Sequence, residues 1–318
     1  MTSAQSPRCA DLAGAAGDPL EATAPPAERW LLVEHPGPWG RHAITESRLH
    51  PAAAKGFARW TETHRSRVAL IRRSGTPPRP GLPRQWFLVD CRPGREAVRL
   101  GRFTDEPALL DVLAQDAPGT PSTEPIYLVC AHGRHDTCCA VRGRPVAAAL
   151  AERFPERTWE CTHVGGDRFA ANLVLLPHGL YYGQVAPRLA VDLVERYARG
   201  ELHPALLRGR SSLAPAAQAA QHHARLAGGE VAVDALPVLS VTQLDAVTWS
   251  VLLGDGPDGA PITVTVRSRV VDAGRTLTCS DTQPGRYRTF DLVELSEGSV
   301  EYAPATGWPS RPHQDRRL

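Results

Sequence analysis

Ile126-Tyr-Leu-Val-Cys130-Ala-His132-Gly-Arg-His135-Asp-Thr-Cys138-Cys139 is the stretch on which the reading of this chain turns. Ile126 to Val129 is a short apolar run that reads as a buried strand, and the loop rich in thiols and imidazoles follows it directly. Arg144 to Phe154 has helical spacing, and Thr158 to Cys161 reads as a second short strand. Two parallel strands joined by a helix bring the loops that follow them to the same end of the sheet, where folds commonly display reactive groups. The second loop is Trp159-Glu-Cys161-Thr-His163-Val-Gly165-Gly166-Asp167-Arg168-Phe-Ala-Ala-Asn172. Thiols and an imidazole then converge from two sides, as a soft or borderline metal requires.

Downstream, Asn172 to Leu176 and Leu180 to Val185 are strands around the turn signal Pro177-His178-Gly179, and Arg188 to Arg199 is a closing helix. Upstream the same order occurs once more: Trp30 to Glu34, helical Ile44 to His64, Val68 to Arg73, a Pro-rich loop, the pair Trp86 to Asp90 and Ala97 to Phe103, and helical Glu106 to Gln115. Strand, helix, strand, hairpin, helix is the order of a thioredoxin-like unit. The expected fold class is therefore α/β, with two tandem thioredoxin-like units, each a mixed sheet flanked by helices, and a small C-terminal α+β appendage. The first unit spans 28–118 and carries no ligands; the second spans 122–202 and carries the Cys/His loops. A linker over 203–213 leads to the appendage at 214–305. Residues 1–27 show no periodicity and read as a disordered lead-in, and 306–318 as a frayed tail.

The 318 residues are 42% hydrophobic and 22% charged with a formal net charge of +2, which places the chain among ordinary globular proteins and argues against a polyanion-binding role. Lys55 is the single lysine among 36 basic residues, a bias of the kind a GC-rich genome produces, and no nucleic-acid function is read into it. No run approaches the roughly 18 apolar residues of a membrane span, so no membrane partner is expected and the default compartment is the cytoplasm. Of seven cysteines, four fall between positions 130 and 161, which in a reducing compartment suggests metal or redox chemistry more than a disulfide framework. Cys9, Cys91 and Cys279 read as incidental, and His132 and His135 as solvated loop residues. No nucleophile elbow, phosphate loop or dinucleotide fingerprint occurs.

On these residues the sequence resembles the sucrase/ferredoxin-like family, whose signature is a Cys-rich loop followed by H-x-G-G-[DH]-[RK]-[FY]-A-x-N. The resemblance runs over roughly Trp30 to Arg199. It takes in Trp30-Leu-Leu-Val-Glu-His-Pro-Gly-Pro-Trp39-Gly, the Cys loop, His163 to Asn172, and Pro177-His-Gly-Leu-Tyr181-Tyr182-Gly183. Members are similar to thioredoxin-like [2Fe-2S] ferredoxins, so the resemblance implies electron transfer and a redox partner protein or reductase. In the characterised branch C-x8-C binds one iron and H-x3-H the other. Cys130 and Cys139 match the first spacing and His163 the first histidine, whereas Asp167 stands where that branch has its second. The fourth ligand is then Asp167, Cys161 or Cys138. Gly165 and Gly166 would let backbone amides approach the cofactor; alternatively Gly165, Gly166, Asp167 and Arg168 read as a backbone nest with an arginine that binds an anion.

Two other readings compete. One is a thiol-disulfide or peroxide-reducing enzyme using Cys130 with Cys138 or Cys139. The other is a structural zinc site of Cys130, Cys139, Cys161 and His163.

Overall fold

A computed structural model describes residues 7–63, 65–75, 81–256 and 259–297; the expected tail at 306–318 and the end of the appendage lie outside them. The first half contains helix α1 (Cys9–Ala15), strand β1 (Arg29–Glu34), α2 (Ala43–Glu46), α3 (Pro51–Thr63), β2 (Ser66–Arg72), β3 (Arg84–Asp90), β4 (Ala97–Phe103), α4 (Ala108–Ala114) and β5 (Thr120–Ser122). Then follow β6 (Ile126–Cys130), α5 (Thr137–Arg153), β7 (Thr158–Cys161), β8 (Leu173–Leu176), β9 (Leu180–Tyr182), α6 (Pro187–Ala198) and β10 (Leu207–Arg210). The last part holds α7 (Pro215–Gly228), β11 (Val238–Gln243), β12 (Thr248–Leu253), β13 (Ile262–Asp272) and β14 (Arg286–Glu297). No described helix is long and apolar enough to cross a membrane.

The two repeats of element order share one ten-stranded mixed sheet, in the order β10-β9-β8-β6-β7-β2-β1-β3-β4-β5. In each half the first strand runs parallel to the second and antiparallel to the third, as β1 does with β2 and β3, and β6 with β7 and β8. The halves meet where β2 and β7 pair antiparallel through Ile71 with Cys161 and Arg72 with Glu160. That seam is reinforced by Arg72 Nε donating to Glu160 at 2.8 Å.

Strand β6 is apolar at every position because both sheet faces are covered there. Alternation along β1 sends Trp30 and Leu32 to a face continuous across both halves, where they join Ile71, Leu128 and Trp159. Leu31 and Val33 point to the other face, under Phe57 and Trp60 of α3. In the second half that face is covered by α5 and α6 through Val146, Leu150, Leu193 and Val194. The region after Pro215 packs α7 on a separate antiparallel sheet, β11 to β14 in sequence order.

Several expectations are corrected. Residues 8–27 are not a disordered lead-in: α1 buries Cys9, Ala10 and Ala13, and Ala24 and Ala27 enter the shared face. Small side chains in close contact need no periodic apolar pattern, which is why none was visible. The 203–213 segment is not a linker, since Leu207 to Arg210 add an edge strand to β9. Helix α5 begins at Thr137, seven residues before the spacing predicts, because Asp136 caps it by accepting from Cys138 N at 2.7 Å. Cys138 and Cys139 therefore sit in a first helical turn rather than in a loop.

Gly143 is what lets α5 lie so close to β6. A Cβ there would collide with the backbone carbonyl of Cys130, and backbone cannot swing aside as a flexible side chain does. Gly143→Ala is expected to lower the denaturant midpoint by the equivalent of about 1–3 kcal/mol, as overpacked interiors do; an unchanged midpoint would show that the contact is soft.

Candidate metal centre

Cys130 ends β6, and its amide donates to Asn172 O at 3.0 Å. Cys139 approaches from the first turn of α5. His163 arrives on the loop after β7, and Asp167 opens the short turn Asp167–Phe169. Ligand atoms of Cys130, Cys139 and His163 all lie within 4.8 Å of one another. Cys139 Sγ is 3.1 Å from Asp167 Oδ1, and His163 Nδ1 is 2.9 Å from the same oxygen. That second contact is an ion pair between a buried imidazole nitrogen and a buried carboxylate. Two sulfurs, one imidazole and one carboxylate thus share one small space, shut from solvent on the thiol side.

The surrounding groups set the charges. Cys130 is held far below the ordinary thiol range, first by the Cys139 S–H directed at it and, against the opposing effect of burial, by His163. Cys139 is pushed correspondingly up by Cys130 and by burial. Burial disfavours a charged ring on His163, but Asp167 and Cys130 outweigh it and raise its value to about 9. Asp167 likewise stays low despite burial, through His163, Cys139 and His135. Without metal the site is therefore a thiolate, imidazolium and carboxylate in contact. These are the groups that a metal binds once the imidazole gives up its proton.

The first half of the chain supports this arrangement. His132 Nε2 donates to Gly40 O at 2.6 Å, and its Nδ1 accepts from His163 N at 3.1 Å. Both nitrogens are thereby committed, which fixes the tautomer and leaves none for a metal. Trp39 meets that ring edge-on, and Arg67 Nη2 donates to His163 O at 3.0 Å. His132 is thus a buried positioning group and not a solvated one. His135 lies parallel to His163 with ring centroids 3.7 Å apart, and its Nε2 is 3.7 Å from Asp167 Oδ2.

Of the other expected residues, Cys161 is buried one strand away, in register with Cys130 but outside the cluster, with its thiol pushed up by burial. Cys138 faces the opposite way, toward Cys9 and Cys279. Gly165 and Gly166 do take left-handed conformations, φ +97° and +82°, but the space they leave is filled by Pro25 and by the Arg208 guanidinium. They admit protein packing where an approach to a cofactor was expected. Arg168 turns away as well, paired with Asp18 at 3.0 Å and lying over Phe169 and Tyr287.

The residue that the sequence did not flag is Arg208. It sits at a register shift between β10 and β9, a bulge that aims its side chain inward. Its guanidinium donates to Gly165 O at 2.9 Å, Asn172 Oδ1 at 2.7 Å, Thr23 O at 2.6 Å and Thr23 Oγ1 at 3.0 Å. Burial lowers its value to about 10, which leaves it charged at neutral pH. Set among arginines in an apparent linker, it carried no periodic or motif signal.

Residues 20–209 match the family model described as Sucrase/ferredoxin-like. Among curated proteins, 83 residues are 29% identical to Altered inheritance of mitochondria protein 32 of Meyerozyma guilliermondii, over 23% of this chain and 29% of the relative's length. Among solved structures, two cysteine-to-serine variants of the thioredoxin-like [2Fe-2S] ferredoxin from Aquifex aeolicus are 23% identical with a TM-score of 0.24, over 26% of this chain and 97% of theirs.

Two outcomes follow from this geometry. Arg208→Lys keeps the charge but cannot reach every carbonyl the guanidinium serves, and is expected to cost about 3 kcal/mol or more in chemical unfolding; a loss below about 1 kcal/mol would mean that water takes over those bonds. The second outcome concerns pH. Between about pH 6.5 and 8.5 the metal-free pair holds one proton in either state, on His163 when folded and on the Cys130 thiol when unfolded, so it adds no slope to stability. In Cys130→Ser only the surplus His163 proton remains; its stabilisation is complete below about pH 6.5 and lost as pH rises. Asp167 still holds that proton while Cys130 no longer does, so thermal melts of that metal-free variant should fall relative to the wild type as pH rises above about 6.5; parallel curves would contradict the thiolate–imidazolium assignment.

Proposed function

The chain belongs to the sucrase/ferredoxin-like family, and from that premise we propose that it is an electron-transfer protein in which Cys130, Cys139, His163 and Asp167 hold a [2Fe-2S] cluster. The observation that carries the reading is the convergence of two thiols, an imidazole and a carboxylate from separate segments beyond β6 and β7. When bound, the cluster supplies a one-electron couple whose potential depends on its charge, on hydrogen bonds to its sulfurs and on exposure. Cys130 and Cys139 would hold one iron as thiolates, and His163 with Asp167 would hold the other. His163 would have to give up its extra proton to serve as a ligand, while the Asp167 carboxyl is held low. A carboxylate in place of a second imidazole adds negative charge, which favours the oxidised form and lowers the potential.

The thiols are closed to solvent, whereas the His163 and His135 side chains remain 22% and 28% exposed. The stacked imidazoles are thus the edge at which a redox partner protein or reductase would exchange electrons. The reading of the two halves as tandem thioredoxin-like units fits this division, with the second holding the ligands and the first holding His132 and His163 in place through Gly40 and Arg67.

One observation favours a second reading, a single zinc ion: Asp167 Oδ1 lies within about 3 Å of both Cys139 Sγ and His163 Nδ1, the spacing of donors around one tetrahedral ion. A thiol enzyme has less support, because Cys130 is buried and Cys138 faces away from it.

Protein purified without oxygen is expected to carry two irons and two sulfides, with a visible absorption that bleaches on dithionite. Cys130→Ser and Cys139→Ser should each abolish that colour, and full colour in both would overturn the ligand assignment. Asp167→His should retain it and raise the midpoint in a redox titration, since an anionic ligand becomes neutral. A colourless protein that loses one zinc ion in both cysteine variants would decide for the second reading.

A further inference from the structure

A second group of donors lies on the far side of α5. Cys9, the first residue of α1, Cys138 in the first turn of α5, and Cys279 on the loop between β13 and β14 bring their sulfurs together. The three separations are 3.6 Å for Cys9 to Cys138, 3.3 Å for Cys138 to Cys279 and 3.5 Å for Cys279 to Cys9. Asp136 completes the set, its carboxylate oxygens 3.8 and 3.9 Å from Cys9 Sγ, and the four ligand atoms lie within 4.8 Å of one another. Cys9, Cys138 and Asp136 are buried, and Cys279 is exposed.

We propose that Cys9, Cys138, Cys279 and Asp136 form a structural zinc site, separate from the centre of Cys130, Cys139 and His163. Three thiols and a carboxylate from three distant parts of the chain are a closed, borderline-soft tetrahedral donor set. The sulfur triangle fits the ion's size: with Zn–S bonds of about 2.3 Å, an ion seated about 1 Å out of the sulfur plane reaches all three. Asp136 is pre-aligned, because Cys138 N donates to its Oδ1 at 2.7 Å and Cys279 N to its Oδ2 at 2.6 Å, leaving lone pairs on both oxygens for a metal. Cys138 lies in the first turn of the long helix α5, where the backbone field favours thiolate. Three mutually touching thiols cannot all be paired as disulfides, so one would be stranded among buried acceptors. The exposed Cys279 leaves a path by which the ion enters.

Such a site would pin α1 and the β13–β14 loop to the start of α5. It works beside the clamp in which Asp18 binds both Arg168 and Arg275. Because α1 rests on the turn that opens with Asp167, the ion would also steady the other centre without belonging to it.

The test uses full-length protein stripped with chelator and titrated with Zn2+ against a chromophoric chelator, and with Co2+ as spectroscopic stand-in. The expected result is one ion per chain that survives Cys130→Ser, with the thiolate charge-transfer and intense d–d bands of tetrahedral cobalt. Cys9→Ser and Cys279→Ser should each weaken binding by more than about 100-fold, beyond what loss of an outer partner causes, while leaving any iron–sulfur absorption of the wild type in place. Since Cys279 is exposed, its serine variant is expected to fold, and circular dichroism checks that it does. Equal zinc affinity in wild type and both variants would overturn the proposal. So would a disulfide between two of the three cysteines in metal-free protein isolated under reducing conditions. Failure of the electron-transfer reading, by contrast, would appear as colourless protein that still holds this zinc.

Discussion

A buried guanidinium holds the molecule's chemistry together. Arg208 joins three segments far apart in the chain: Thr23 before the first strand, Gly165 and Asn172 in the site loop, and its own edge strand. A planar fork with donors on three nitrogens suits this role, since each carbonyl it meets would otherwise be buried without a partner. The left-handed glycines next to His163 exist in part to admit it, as a side chain on Gly166 would occupy the guanidinium's place. The loop that carries His163 and Asp167 is therefore shaped from below by a cation, with Phe169 and Tyr181 facing the same charge.

The second constraint is the seam between the halves. Fusion of two similar sheets through β2 and β7 places the loop after β1 over the loop after β6. Gly40 and Arg41 can then anchor His132 and His135. A lone second half would present the same thiols with no partner for His132 Nε2 and without the bond from Arg67 to His163 O. The half that carries no ligands is thus structurally part of the centre.

Helix geometry explains why two adjacent cysteines have unrelated surroundings. Neighbours on an α-helix point roughly 100° apart, so Cys139 faces Asp167 while Cys138 faces Cys9 and Cys279. The early start of α5, set by the Asp136 cap, converts a run of two thiols into members of two separate groups. The same carboxylate serves both jobs, capping the helix through Cys138 N and receiving Cys279 N.

Patterns local in the chain were legible without coordinates. Ile126 to Val129 is apolar because a strand covered on both faces must be, and the resemblance in motif spacing pointed to Cys130, Cys139 and His163 while leaving the fourth position open among Asp167, Cys161 and Cys138. Local pattern could not reveal groups assembled across long separations. Cys9 and Cys279 stand 270 positions apart, Arg208 lies in a run that reads as a linker, and residues 8–27 pack through small side chains that leave no period. Periodicity reports which face of an element is buried, and motif spacing reports donors carried by neighbouring loops. Which distant segments meet on that face depends on how the sheet closes its seam and where its edges turn, and only the tertiary structure decides that.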